Sequence, residues 1–249
     1  MSVIQYNGFC ERGMRNGVNQ DVIGMYCHEE CRLFFVSDGI GGHYAGEKAS
    51  GAIGTALADW WQEYIADISL DFQETVGQIQ SVLENTHTAI QKETAGHGIC
   101  GATIVLLFIQ GRRYAVLWSG DSRGYMLERQ LFHTGFKQLT TDDTWENNLT
   151  DGYSEKEIRK NPFFGKLLCA VGAGEKFSCH LQTGEIKGKT LFALCSDGVY
   201  KYVEKEKMYS EFKTALKKGN VADGIKHLRN MVYENNAPDN LSCILVGLF

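Results

Sequence analysis

The chain has 249 residues, of which 43% are hydrophobic and 22% charged, and its formal net charge is −5. This composition is typical of a folded globular protein, and the acidic balance argues against a general binder of nucleic acids or anionic membranes, since these need a basic face. No apolar run approaches the roughly 18 residues of a membrane span, and the first residues lack the basic start and apolar core of a signal peptide.

Hydrophobic periodicity divides the chain into strands and helices, with no linker or low-complexity tract between them, which predicts one domain over residues 1–249. Two sheets packed together, each with a pair of helices outside, would bury the apolar faces of all four long helices, so we expect an α+β fold of four layers. The predicted elements are strands at 2–9, 21–27 and 32–37, helices at 44–67 and 71–90, strands at 101–109, 113–119, 122–128 and 130–139, regular structure at 167–171 and 177–183, a strand ending at 197, helices at 204–217 and 221–235, and a strand at 241–248.

Residues 140–162 are polar and charged, with only weak helical character near 154–160. An insertion of this length between strands is typical of a functional loop or a mobile flap.

The strongest signal is a Ser-Asp-Gly tripeptide that directly follows an apolar run and occurs twice in the chain. The run at 33–36 leads into Ser37-Asp38-Gly39, and the run at 191–195 leads into Ser196-Asp197-Gly198. Asp121 follows a further apolar run, and Asp239 precedes the last one. A single such acid usually marks a capped turn. Four of them at expected strand ends favour one shared centre.

The surroundings of Asp38 indicate the chemistry of that centre. An unbroken apolar run predicts a strand buried on both faces, so we expect Asp38 to sit where a buried strand ends. A carboxylate there needs a partner charge, because desolvating it unpaired is costly. Gly39 is expected to let the next backbone carbonyl turn toward the same point. A carboxylate with an adjacent carbonyl suits a hard cation such as Mg²⁺ or Mn²⁺.

Two other motifs match only in part. Residues 41–48 resemble a phosphate-binding loop that follows a strand, but Glu47 occupies the position that the motif's lysine requires. Residues 120–124 spell the G-x-S-x-G of a nucleophile elbow, but a strand is predicted after the serine where the elbow needs a helix.

Taken together, the ordered motifs resemble the metal-dependent PPM (type 2C) protein Ser/Thr phosphatases in their short bacterial form, over almost the whole chain. The matching phrases are Asn19-Gln20-Asp21, Val36-Ser37-Asp38-Gly39-Ile40-Gly41-Gly42-His43, Ala45-Gly46-Glu47, Ala49-Ser50, Cys100-Gly101-Ala102-Thr103, Gly120-Asp121-Ser122-Arg123, Leu139-Thr140, Cys195-Ser196-Asp197-Gly198 and Asp239-Asn240. Each phrase alone is weak, whereas the series in family order is specific.

The resemblance implies an αββα sandwich of two mostly antiparallel sheets around two metal ions, Mn²⁺ or Mg²⁺. By position, Asp38 resembles the carboxylate that bridges both ions, with the Gly39 carbonyl on one of them. Asp197 and Asp239 resemble the direct ligands of the other ion. Two such ions about 4 Å apart lower the pKa of a bridging water, so that the resulting hydroxide attacks phosphorus directly.

The resemblance also implies roles for residues around the two metal ions. Asp21 resembles the outer-shell acid that reaches metal-bound water, and Asp121 resembles a ligand, shared with Asp197, of a weaker third ion. Arg15 is the first candidate for binding the substrate phosphate, Arg12 is the second, and a solvated surface arginine remains the alternative. Ile40 stands where animal relatives have a histidine general acid, so we expect metal-bound water to protonate the leaving group and His43 to be structural.

These implications predict a protein phosphatase that hydrolyses phosphoserine and phosphothreonine, with its variable flap at about 141–165. Its partners would be phosphoproteins modified by a Ser/Thr kinase, with no nucleic acid or membrane partner, and we expect a monomer. The scattered cysteines predict reduced thiols and a cytoplasmic location. The alternatives are a silent pseudo-phosphatase that binds phosphoproteins or a regulatory partner, and a hydrolase of small phosphate esters.

Overall fold

The computed structural model describes residues 3–41, 45–68, 71–95, 100–129, 134–149, 152–174 and 177–249. The predictions for the first residue of the strand at 2–9, for His43, for the first residue of the helix at 44–67 and for residues 130–133 and 150–151 lie outside the described residues.

The strands and helices follow the predicted order. The strands are β1 (Ile4–Glu11), β2 (Asp21–His28), β3 (Cys31–Gly41), β4 (Cys100–Ala102), β5 (Ile104–Gln110), β6 (Arg113–Ser119), β7 (Arg123–Arg129), β8 (Thr134–Gln138), β9 (His180–Glu185), β10 (Thr190–Cys195) and β11 (Leu241–Leu248). The helices are α1 (Ala45–Ala66), α2 (Phe72–Glu93), α3 (Glu155–Lys160), α4 (Asp197–Tyr200), α5 (Lys205–Lys218) and α6 (Val221–Glu234), with a 3₁₀ helix at Trp145–Asn148.

The strands form two antiparallel sheets. One has the order β1-β11-β10-β7-β8, and the other has the order β2-β3-β5-β6-β9. The short strand β4 pairs with the last three residues of β3, after the part of β3 that pairs with β5. Helices α1 and α2 pack on the second sheet, and α5 and α6 pack on the first. The predicted α+β class and the four-layer αββα sandwich are therefore confirmed.

Alternation along each central strand explains the unbroken apolar runs. On β3, Leu33 and Phe35 belong to the core under α1 and α2, whereas Phe34 belongs to the core between the two sheets. On β10, Leu191 faces the core under α5 and α6, and Phe192 faces the core between the sheets. Because side chains alternate between the faces of a strand, a strand covered on both sides needs apolar residues at every position.

Asp71, where the second long helix was expected to begin, is the N-cap of α2. Its carboxylate accepts hydrogen bonds from the backbone N–H groups of Gln73 and Glu74, and the Glu74 carboxylate accepts one from the Asp71 N–H. This reciprocal capping satisfies donors that a helix start leaves open, which fixes the beginning of α2.

Three predictions about the strands were wrong. Strand β3 continues past Asp38 to Gly41, because its residues 39–41 pair with β4. The predicted strand at 101–109 is divided at Thr103 into β4 and β5. In the described residues, the stretch 167–171 makes only isolated bridges, at Leu167 and at residues 170 and 171.

None of the helices in the described ranges combines the length and apolar character needed to cross a membrane.

Candidate metal centre

One cavity of about 340 Å³ brings together six of the seven predicted site residues. The sheet of β3 contributes Asp38 and Gly39, whereas Asp197 and Asp239 lie beside β10 and β11 of the other sheet. The cavity is lined by Arg15, Gln20, Asp38, Gly39, Ile40, Gly41, Asp121, Gly165, Leu167, Asp197, Lys201 and Asp239. The seventh predicted residue, Asp21, lies directly opposite Asp38 in the pairing of β2 with β3.

The backbone of Asp38 is held by the residue that divides β4 from β5. The Asp38 N–H donates to the Thr103 hydroxyl at 3.1 Å, and the Thr103 N–H donates to the Asp38 carbonyl at 2.8 Å. The Ser37 hydroxyl donates to the Thr103 carbonyl at 2.7 Å. These bonds fix the position of the Asp38 side chain from inside the sheet, so it does not depend on a flexible turn.

Gly39 is required for a different reason from the one expected. It lies within β3 and makes no turn there, and its N–H donates to the Gln20 carbonyl at 3.1 Å. A Cβ on Gly39 would overlap the backbone carbonyl of Gly46 at the start of α1. The glycine therefore allows a close backbone approach between a strand and a helix.

Asp21 is buried beneath the cavity and connects the two sheets. Its side chain accepts a hydrogen bond from the Ser196 hydroxyl at 2.9 Å. The Ser196 hydroxyl in turn accepts one from the Ser242 N–H at 3.0 Å. The other carboxylate oxygen of Asp21 is buried and has no hydrogen-bond partner among the described residues. A buried carboxylate oxygen without a donor is costly unless a cation or an ordered water satisfies it.

The loop before β11 meets the loop that carries the two candidate arginines. The Asn240 side chain accepts a hydrogen bond from the Gln20 N–H and donates one to the Arg12 carbonyl, both at 3.0 Å. Arg15 forms an ion pair with Asp239 at 2.7 Å and keeps 46% of its side chain exposed. Arg15 therefore lies at the cavity, whereas the Arg12 guanidinium bonds to the Gly17 carbonyl.

Lys201 is a charged cavity residue that the sequence reasoning missed. Its ammonium lies 2.7 Å from Asp197 and 3.8 Å from Asp121. A lysine four residues after an acid is a recognisable helical spacing, and this signal could have found it. The Tyr200 hydroxyl donates to the same Asp121 oxygen at 3.3 Å.

A further missed group connects the site to the start of the polar insertion. The Arg123 guanidinium lies 3.7 Å from the centre of the Tyr200 ring and forms an ion pair with Asp142 at 2.7 Å. Arg123 therefore supports the ring whose hydroxyl reaches Asp121.

The acids of the site are held where negative charge is unfavourable. Burial raises the pKa of Asp38 well above its ordinary value, and the charges of Asp21, Asp197 and Asp121 raise it further. Burial together with Asp197 raises the pKa of Asp21 to about 6, despite hydrogen bonds from serine side chains. The same two causes raise the pKa of Asp121 to about 6, although Lys201 opposes them. Such a concentration of negative charge favours cation binding.

The residues present fit divalent ions of the hard class. The donors are carboxylate oxygens and a backbone carbonyl, which Mg²⁺ and Mn²⁺ prefer. Asp21, with its orphaned carboxylate oxygen, lies opposite Asp38 in the sheet. Within the described residues no three acidic, histidine or cysteine side chains converge on one point closely enough to hold an ion.

The family model described as Protein phosphatase 2C matches residues 12–233. The chain belongs to the protein phosphatase 2C family. The predicted resemblance and the predicted enzyme class are thereby confirmed.

Relatives in the protein phosphatase 2C family match most or all of the chain. A putative protein phosphatase of Mycoplasma genitalium is 26% identical over 98% of this chain and 95% of its own length. The serine/threonine protein phosphatase PstP of Mycobacterium tuberculosis is 28% identical over 99% of this chain, which spans 45% of that protein's length. The catalytic domain of PstP, solved in complex with two manganese ions, is 24% identical, covers 100% of both chains and has a TM-score of 0.78.

Proposed function

We propose that this chain is a metal-dependent protein Ser/Thr phosphatase that hydrolyses phosphoserine and phosphothreonine in proteins. The observation that carries the proposal is that carboxylates from both sheets meet at one cavity. Membership of the protein phosphatase 2C family supports the reaction, and the name of the PstP relative supports serine and threonine as the residues that are dephosphorylated.

We further propose the roles of the acids. Asp38 would be a ligand of both ions. The Gly39 carbonyl would be a further ligand of one ion, and Asp197 and Asp239 would be ligands of the other. Asp21 would orient metal-bound water, since it lies opposite Asp38 in the sheet and one of its carboxylate oxygens has no hydrogen-bond donor among the described residues. When bound, the ions would supply an activated water and neutralise the phosphoryl oxygens. The all-oxygen donor set and the two manganese ions of the PstP catalytic domain support Mn²⁺ or Mg²⁺ as the proposed ions.

Arg15 is proposed to bind the substrate phosphate. It lines the cavity, and its guanidinium lies beside Asp239, where a phosphate on the ions would also lie. A guanidinium can give two parallel hydrogen bonds to phosphate oxygens, which positions the phosphorus for in-line attack. The exposed position of Arg15 allows it to leave Asp239 once an ion neutralises that carboxylate.

The domain boundaries are also part of the proposal. A cavity that needs residues of both sheets favours one catalytic unit over residues 1–249. Residues 141–165 would form the flap, since Gly165 lines the cavity and the helix α3 lies within this stretch. We propose a cytoplasmic monomer that opposes a Ser/Thr kinase, in keeping with eight free cysteines, of which four are buried.

The direct test is phosphate release from a phosphoserine or phosphothreonine peptide with added Mn²⁺ or Mg²⁺, and with EDTA. We expect hydrolysis with metal and none with EDTA. A parallel assay with free phosphoserine separates a protein phosphatase, which prefers the phosphoprotein, from a hydrolase of small esters. A folded protein that binds Mn²⁺ but releases no phosphate would contradict the proposal and favour a pseudo-phosphatase.

A further inference from the structure

The side of the cavity between Asp121 and Asp197 is where the family resemblance predicts a weaker third ion. In this structure the Lys201 ammonium lies there, 2.7 Å from Asp197 Oδ2 and 3.8 Å from Asp121 Oδ2. We propose that the Lys201 ammonium takes the place of a third metal ion, so that the site holds two divalent ions and one built-in cation. This inference rests on the proposed phosphatase function, because it concerns the same metal centre.

The backbone directs Lys201 toward these acids. Asp197 is the first residue of α4, and the Lys201 N–H donates to the Asp197 carbonyl at 3.1 Å. Side chains four residues apart in a helical turn lie on the same face, so the lysine stem passes over the Asp197 carboxylate. The ammonium then donates a hydrogen bond to Asp197 as part of the ion pair. The position of the charge thus follows from one turn of helix.

The second acid, Asp121, already has a hydrogen-bond donor and a nearby positive charge. The Oδ2 atom of Asp121, which faces Lys201, also accepts a hydrogen bond from the Tyr200 hydroxyl at 3.3 Å. The Tyr200 ring is supported by Arg123, which in turn is bound to Asp142. Asp121 is buried, whereas Lys201 keeps 48% of its side chain exposed at the cavity wall.

A divalent ion at this point would have to displace the ammonium. Until it did so, it would be repelled by a positive charge a few ångströms away, and it would compete with Tyr200 for the same carboxylate oxygen. The two other predicted positions differ. Among the described residues, the Lys201 ammonium forms ion pairs with Asp197 and Asp121 alone, and Asp239 is paired with Arg15. An ion held by Asp197 and Asp239 would share one carboxylate with the ammonium, whereas a third ion would need both of the carboxylates that Lys201 already pairs with. The lysine therefore excludes one ion and leaves the proposed pair in place.

The test is the number of Mn²⁺ ions bound per chain, measured by equilibrium dialysis with elemental analysis up to high Mn²⁺ concentration. The variants are Lys201→Met, which keeps the length of the side chain and removes its charge, and Lys207→Met as a matched control. Lys207 pairs with Glu204 at 3.5 Å and does not line the cavity. We expect two ions in the natural protein and in Lys207→Met, and three in Lys201→Met.

A double variant locates the additional ion. Adding Asp121→Asn to Lys201→Met is expected to return the count to two, because the third ion would lose a ligand. Three ions in the natural protein, or two in a folded Lys201→Met variant, would overturn the inference and leave the phosphatase proposal intact. No bound Mn²⁺ in the natural protein would instead contradict the proposed function itself. If Lys201→Met fails to fold, anomalous diffraction from the natural protein in Mn²⁺ decides, since a peak between Asp121 and Asp197 would overturn the inference.

Discussion

At the scale of single residues, the site holds acids that do not stabilise the metal-free fold. Asp38 lies among three other carboxylates, and its ionised form is disfavoured by burial and by their charges. Asp21 has a buried oxygen with no donor among the described residues. Such unfavourable groups persist when they serve binding or catalysis, since stability and function compete at active sites.

Replacing Asp38 should therefore separate stability from function. In Asp38→Asn the charge is removed with little change of shape, so the metal-free protein at neutral pH should melt at a higher temperature than the natural protein. With Mn²⁺, hydrolysis of a phosphopeptide should fall by about a hundredfold or more, the scale for losing one preorganised electrostatic group. Calorimetric melting with EDTA and initial rates with Mn²⁺ measure the two effects. Unchanged activity would contradict the role given to Asp38.

The two candidate arginines give a matched pair. Arg15→Ala should lower kcat/KM for a phosphopeptide roughly 10- to 100-fold, because hydrogen bonds between charged groups contribute about 1.5–3 kcal/mol. Arg12→Ala should change kcat/KM much less, since its guanidinium bonds to the Gly17 carbonyl in the same loop. Steady-state kinetics on both variants make the comparison. The opposite ranking would transfer the phosphate-binding role to Arg12.

Close backbone packing at Gly39 predicts a loss of stability. Gly39→Ala places a Cβ against the Gly46 carbonyl, and overpacking of this kind costs about 1–3 kcal/mol in the free energy of unfolding. The control is Gly51→Ala in α1, where a Cβ meets nothing within 4 Å and should add about 0.5–1 kcal/mol of stability. Urea unfolding of the metal-free proteins measures both changes. A Gly39→Ala protein as stable as the natural one would refute the close approach.

At the scale of elements, α2 is joined to the segment before β9 by a buried histidine. His87 Nδ1 accepts a hydrogen bond from the Gly172 N–H at 2.9 Å, and its ring stacks on Phe177. Its other nitrogen is buried with no partner among the described residues. Burial lowers the pKa of His87 below its ordinary value of 6.5. The fold therefore holds the neutral form.

This contact predicts a loss of stability in mild acid. Because the folded-state pKa of His87 is depressed, its contribution is complete above pH 6.5 and is lost as the unfolded chain takes up a proton below that pH. His87→Gln, which does not titrate, should show a smaller fall in unfolding free energy between pH 7.5 and 5.5, a window chosen to span about one unit on either side of the ordinary value. Parallel slopes for the two proteins over this window would show that His87 is not held neutral.

At the scale of the whole molecule, the local pattern predicted the elements better than their pairing. The run at 33–36 correctly predicted a strand covered on both faces, since alternation sends Leu33 and Phe34 to different cores. The extension of β3 to Gly41 was missed, because it depends on pairing with β4, about sixty residues later in the chain. Long-range pairing leaves no local pattern.

The site residues could likewise be predicted from local motifs, whereas the contacts between distant residues could not. Asp38, Asp197 and Asp239 could be predicted from acids beside apolar runs and from motif order, and the structure places all three at one cavity. The bond from Ser196 to Asp21 and the support of Tyr200 by Arg123 could not be predicted, because they join residues from different parts of the fold. Lys201 was missed although its spacing from Asp197 was visible.

The central claim is that acids from two sheets hold a pair of divalent ions. The most direct measurement is anomalous diffraction at the manganese edge from crystals grown with Mn²⁺. We predict two peaks that share Asp38, one of them also contacting Asp197 and Asp239, at ligand distances on the order of 2 Å. A manganese-loaded, active protein whose peaks lie away from Asp38 would contradict the claim.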